Sequence, residues 1–113
     1  MSASYAHITG EIVATGQVQA KPGMGDELAN WIEKLKAYAN ENEPGTLEYS
    51  FARDGDTFVT WERFADLAAL KLHVASQVMA DLKAANVFAK PPAPLFYSGD
   101  LRSDKADQTR ATL

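Results

Sequence analysis

The sequence predicts an α+β fold in the element order βαββααβ, with an antiparallel sheet covered by helices on one face. Three observations lead there. An Asp54-Gly55 hairpin signal separates two alternating segments, apolar residues recur at helical spacing on both sides of that hairpin, and a short aromatic segment follows a proline-rich connector. At 113 residues the chain fits one fold unit that buries a core without staples.

The first strand is placed over residues 8–20 (ITGEIVATGQVQA), where β-branched residues mix with small and polar ones up to the Lys21-Pro22-Gly23 break. Gly10 and Gly16 mark either a bulge or a crowded stretch of sheet that admits only small residues. From residue 24 to 42, Leu28, Ile32, Leu35 and Ala39 form an apolar stripe flanked by Trp31 and Tyr38. This predicts an amphipathic helix with Asp26 and Glu27 in its first turn, at the positive end of the dipole.

Glu43-Pro44-Gly45 breaks that helix, and residues 47–52 alternate as a half-buried strand does. A type I′ turn at Asp54-Gly55 sets Ala52 opposite Thr57, Phe51 opposite Phe58, Tyr49 opposite Thr60 and Leu47 opposite Glu62. Phe51, Phe58, Tyr49, Thr60, Leu47 and Glu62 share one face, and Glu48, Ser50, Val59, Trp61 and Arg63 share the other.

Asp66 is expected to cap a short helix over residues 67–75 with a Leu67, Leu70, Val74 stripe and His73 beside it. Ser76 divides this helix from another that reaches Asn86. Lys90-Pro91-Pro92-Ala93-Pro94 excludes helix and central strand, and residues 95–101 read as the last strand. Residues 1–101 are expected to form the folded unit, and residues 102–113 a polar tail.

A net charge of −4 with scattered lysines and arginines gives no footprint for nucleic acid. No run is long enough to span a bilayer, and the first residues lack a signal peptide, so a cytoplasmic protein is expected. With no cysteine there is no disulfide framework and no thiolate chemistry. The other histidine, His7, lies in the N-terminal stretch, and no cluster has metal-ligand spacing, so no metal is expected.

One layer of helices cannot cover both faces of a sheet. The face bearing Val59, Trp61 and Arg63 is therefore expected to pack against a second copy, with Glu48 and Arg63 as rim partners.

The run Lys21-Pro22-Gly23, then Glu43-Pro44-Gly45-Thr46-Leu47 with Tyr49, then Trp61-Glu62-Arg63-Phe64 with Asp66, Ala69 and His73, resembles the antibiotic biosynthesis monooxygenase family over roughly residues 10–100. The resemblance implies a ferredoxin-like fold whose sheets pair face to face as a dimeric α/β barrel. It also implies a pocket between sheet and helices. There some members oxidise phenols, quinols or anthrones with molecular oxygen and no metal or flavin, whereas others have no known reaction. The Asn, Trp and His trio of the haem-degrading relatives is not recognisable.

On the helix-covered face His73 is expected to meet Glu62 and Tyr49. His73 would take a phenolic proton, Glu62 would fix its tautomer, and Tyr49 would bind or protonate a substrate oxygen. Thr60 shares this face. Phe51, Phe58 and Trp31 or Trp61 would wall a small aromatic substrate, with Tyr97 or Phe96 added according to the register of the last strand. The leading expectation is a cofactor-free monooxygenase. A polyketide cyclase using the same base, and a non-catalytic dimeric ligand-binding or stress module, are the alternatives.

Overall fold

In a computed structural model describing residues 3–99, the elements follow the order β1 (Ile12–Gln19), α1 (Gly25–Asn42), β2 (Thr46–Asp54), β3 (Thr57–Phe64), α2 (Leu67–Val74), α3 (Gln77–Ala84) and β4 (Leu95–Ser98). The four strands form one antiparallel sheet in the order β2-β3-β1-β4. This is the α+β arrangement expected from the element order and the ferredoxin-like fold implied by the family resemblance. Asp100 and Leu101, assigned to the last strand, and the tail over residues 102–113 lie outside the described residues.

β1 is shorter than the sequence suggested. It begins at Ile12, because Gly10 takes a positive φ of 76° and breaks the extended backbone. Ile8 nevertheless stays buried, packing with Ile12, Ala14, Phe64, Leu70 and Phe96.

The hairpin register also differs from the expected one. The two turn residues are Gly55-Asp56, so Tyr49 faces Glu62, Phe51 faces Thr60 and Arg53 faces Phe58. Only Gly55 of the pair has positive φ, as a II′ turn with glycine first requires. Asp56 explains the choice. Its carboxylate accepts the backbone N–H groups of Gly23 at 3.0 Å and Gly25 at 2.9 Å, and its carbonyl accepts that of Ala20. Met24, at the start of α1, offers no side-chain cap, and the hairpin tip supplies one instead.

The displacement amounts to two residues, so each side chain keeps its expected face. Leu47 is the exception. An irregularity between Thr46 and Glu48 turns it outward, and it is 49% exposed.

α1 buries Leu28, Ile32, Leu35 and Ala39 as its stripe predicts, and each such aliphatic side chain larger than alanine stabilises the fold by about 1.5–3 kcal/mol. Asp66 caps α2 by accepting the N–H of Ala69, and Ser76 caps α3 by accepting that of Met79. In α2 the buried positions are Leu70 and His73, while Val74 is largely exposed, so the histidine occupies the stripe itself. α3 ends before Asn86, which adopts a left-handed φ of 58°. Phe88 then bridges to Ala20, and the prolines carry the chain to β4, which pairs with the opposite end of β1.

Two apolar clusters result. One, beneath α1, contains Leu28, Ile32, Leu35, Tyr49, Phe58 and Leu82. The other gathers Ile8, Ile12, Phe64, Leu70 and Phe96 at the far end of the sheet.

Candidate active site

A cavity of about 220 Å³ opens between the two clusters. Its floor is the helix-covered face of the sheet, where Ala14 and Gly16 of β1, Tyr49 of β2, Thr60 and Glu62 of β3 and Phe96 of β4 project together. Its roof includes Leu70, His73 and Val74 of α2 and Met79 and Leu82 of α3. Val18, Ile32, Lys83, Phe88, Pro92 and Pro94 contribute the remaining wall. Gly16 lies opposite Thr60 in a regular ladder with no bulge, and a Cβ there would sit 3.1 Å from the Thr60 hydroxyl. Crowding, not a bulge, therefore explains Gly16.

His73, 1% exposed, lines the cavity from α2. Its Nδ1 lies 2.8 Å from Oε1 of Glu43, whose side chain is 2% exposed. The same Oε1 accepts the Thr46 hydroxyl at 2.8 Å, which marks it as an acceptor and assigns the imidazole proton to Nδ1. In the neutral ring, Nε2 is then a bare acceptor. It is buried without a hydrogen-bond partner, and Oε1 of Glu62 stands 3.6 Å away, beyond hydrogen-bond reach.

By sequence Glu43 belongs to a helix-breaking tripeptide, which by itself gives no hint of its contact with His73. A signal was present. A carboxylate at the C-terminal end of a helix opposes the dipole, and α1 has no basic residue in its last turn to offset it. Such a residue needs buried partners, and Thr46 and His73 provide them. Gly45 lets the pieces approach, since a Cβ there would fall 2.5 Å from the Cβ of Ala69 in α2. The expected tautomer-fixing role of Glu62 thus belongs, by distance, to Glu43.

Glu62 is differently placed. Burial pushes its carboxyl up to about 7, although a hydrogen bond from Thr60 works in the opposite direction. Near neutral pH it therefore exists both as acid and as carboxylate. Tyr49 is raised well above the ordinary phenol range, first by burial and then by the charges of Glu62 and Glu43, so its hydroxyl remains a proton donor. The Tyr49 and Phe64 rings flank the imidazole, with centroids at 5.5 and 5.2 Å.

Of the residues predicted to contact substrate, the cavity brings together His73, Glu62, Tyr49 and Thr60. Phe51, Phe58, Trp31 and Tyr97 do not line it. Phe51 and Phe58 have the predicted face but lie nearer the hairpin tip, where Phe58 is sealed beneath α1 and Phe51 packs against it. Trp31 covers the outer part of that cluster under the Lys34 ammonium. Tyr97 pairs with Val13 and projects to the other face, while its neighbour Phe96 lines the cavity. Aliphatic and proline side chains form most of the wall.

The helix-free face presents Val59, 49% exposed, and Trp61, 40% exposed. Arg63 donates to Glu11 at 2.9 Å and approaches Glu48 at 3.6 Å, so it is engaged within its own chain. Among the described residues, no group of three or more His, Asp or Glu side chains is disposed to hold a metal ion, and no helix is long and apolar enough to cross a membrane.

A four-stranded antiparallel sheet with helices on one face defines a ferredoxin-like α+β domain. The model of the antibiotic biosynthesis monooxygenase family matches residues 11–85, and the chain belongs to that family. Members are typically dimeric.

Solved structures agree on the fold. A candidate antibiotic biosynthesis monooxygenase from Caulobacter crescentus superposes with a TM-score of 0.76 at 23% identity, over 83% of this chain and 93% of that one. A Nitrosomonas europaea protein of unknown function gives 0.67 at 28% identity, over 88% and 100%. A candidate monooxygenase of this family from Bacteroides thetaiotaomicron gives 0.69 at 16% identity, over 81% and 90%. No curated protein matches the sequence.

Proposed function

We propose that the protein is a cofactor-independent monooxygenase that oxidises a small aromatic, quinol or polyketide-type substrate with molecular oxygen. The carrying observation is the buried, unpartnered Nε2 of His73, held as an acceptor by Glu43 and aimed into an apolar cavity. A buried acceptor without a partner costs stability, of order 1–3 kcal/mol, unless a ligand satisfies it.

In this reading Nε2 takes the proton of a substrate hydroxyl, giving an electron-rich anion. The anion passes one electron to oxygen, and the radical pair combines to form a carbon–oxygen bond. Cleavage of the resulting peroxide leaves one oxygen atom on the ring and releases the other as water, and the substrate supplies all four electrons. Tyr49 donates a hydrogen bond to the developing oxyanion, and Glu62 exchanges protons with the substrate. The dry, apolar wall shields the intermediate.

The test is oxygen uptake by metal-free protein against quinols, anthrones and polyphenols. Folded His73→Gln is expected to lose about 10²- to 10⁴-fold of the activity above the spontaneous rate. Undiminished uptake in that variant would remove His73 from the chemistry. The same base also suits a cyclase, for which turnover would persist without oxygen.

We further propose that two copies pack through the sheet face bearing Val59, Trp61 and Arg63 in a cytoplasmic homodimer. The exposure of the first two side chains supports this reading. Trp61→Glu is expected to raise the dimer dissociation constant at least about 100-fold, as sedimentation would report.

A further inference from the structure

We propose that His73 Nε2 and the Glu62 carboxyl act as one two-point reader of neighbouring oxygens on a ring. A substrate hydroxyl donates to Nε2, and the adjacent hydroxyl or carbonyl oxygen accepts from Glu62. The substrate class is therefore a one- or two-ring arene with ortho-related oxygens, a catechol or ortho-hydroxyketone and not a para-quinol. This inference rests on the reading of His73 and Glu62 as substrate-facing groups.

Spacing gives the first constraint. Nε2 and Glu62 Oε1 lie 3.6 Å apart, too far to bond each other and close enough to serve two atoms of one ligand. Ortho oxygens on a ring are separated by roughly one hydrogen-bond length, about 2.8 Å. Para oxygens are about twice as far apart, so a para-quinol satisfies only one member of the pair.

Polarity gives the second constraint. The Glu43 contact leaves Nε2 as an acceptor, and the raised carboxyl of Glu62 provides a proton-bearing oxygen near neutral pH. One donor and one acceptor side by side complement a hydroxyl next to another oxygen. Tyr49 adds a donor on the same floor.

Volume gives the third. At about 220 Å³ the cavity is roughly one and a half times the size of a 150 Å³ cavity known to hold benzene. One ring with substituents, or two fused rings, fills it. A three- or four-ring polyketide exceeds that volume.

The experiment compares 2,3-dihydroxynaphthalene with 2,7-dihydroxynaphthalene, two isomers of equal size and composition that oxidise slowly in air. Binding is measured by calorimetry to wild type, Glu62→Gln and Glu62→Leu. We expect the 2,3 isomer to bind about tenfold more tightly, the worth of one additional good hydrogen bond. Glu62→Leu should abolish the preference, and Glu62→Gln, whose amide still donates, should retain most of it.

Equal affinities in wild type, no binding of either isomer, or a preference undiminished in Glu62→Leu would each overturn the proposal. The wild-type comparison stands even if a variant fails to fold. His73-dependent oxygen uptake with equal binding of the isomers would sink this inference and leave the monooxygenase reading in place. Isomer preference without uptake from any ortho-oxygenated substrate would do the reverse.

Discussion

Glu62 and Arg63 are neighbours in β3, yet they belong to opposite sides of the sheet and to different chemistry. Arg63 lies on the helix-free face, where its contacts with Glu11 and Glu48 leave all three groups partly solvated. Glu62 faces the cavity, is 14% exposed, and pays for burial with a raised carboxyl pKa. One step along a strand thus separates charges that water screens from groups whose proton affinity the fold resets. The comparison shows that sheet alternation is as much a device for segregating electrostatic environments as for segregating hydrophobicity.

The sharpest way to break the covered side is to remove Glu43. Glu43→Ala strands the Nδ1–H of His73 and the Thr46 hydroxyl in a buried site, with an expected loss of about 2–4 kcal/mol in denaturant unfolding. Glu43→Gln keeps an acceptor and should lose roughly 1 kcal/mol. Equal losses would mean that the acceptor is not what stabilises the site.

Glu62 gives the next largest effect, visible in pH. Burial raises its carboxyl from the ordinary value of 4.5 to about 7, so between these values the native state binds more protons than the unfolded state. Stability should therefore fall as pH rises from about 4.5 to about 7, by at most about 3 kcal/mol. Glu62→Gln should flatten this slope and leave the protein more stable than wild type above pH 7. An unchanged slope would assign the titration elsewhere.

The open side should respond least. Glu11→Gln is expected to cost no more than about 1 kcal/mol, and added salt should reduce the difference. A larger, salt-independent loss would show that this ion pair is less solvated than its exposure suggests.

Much of the covered side was legible because β alternation tolerates an even error. The register moved by two residues, yet Tyr49, Thr60 and Glu62 still met His73. Position along the ladder was not legible, since it depends on which residues occupy the turn, and Asp56 was drawn there by unsatisfied N–H groups at the start of α1. For this reason Phe51 and Phe58 had the right face and the wrong neighbourhood. Glu43 escaped notice because its histidine partner comes from a helix 30 residues away, a relation that no local spacing encodes. The caps Asp66 and Ser76 were readable because their partners lie within three residues.

The cap that Asp56 places on α1 also bears on the order of events during synthesis. The N–H groups of Gly23 and Gly25 leave the ribosome more than 30 residues ahead of the carboxylate that will satisfy them. Until the hairpin closes, the nascent helix frays at its start for lack of about 1 kcal/mol of capping. Hairpin closure and completion of the first helical turn are thus one event, and a peptide spanning α1 alone should be measurably less helical than the same segment within the protein.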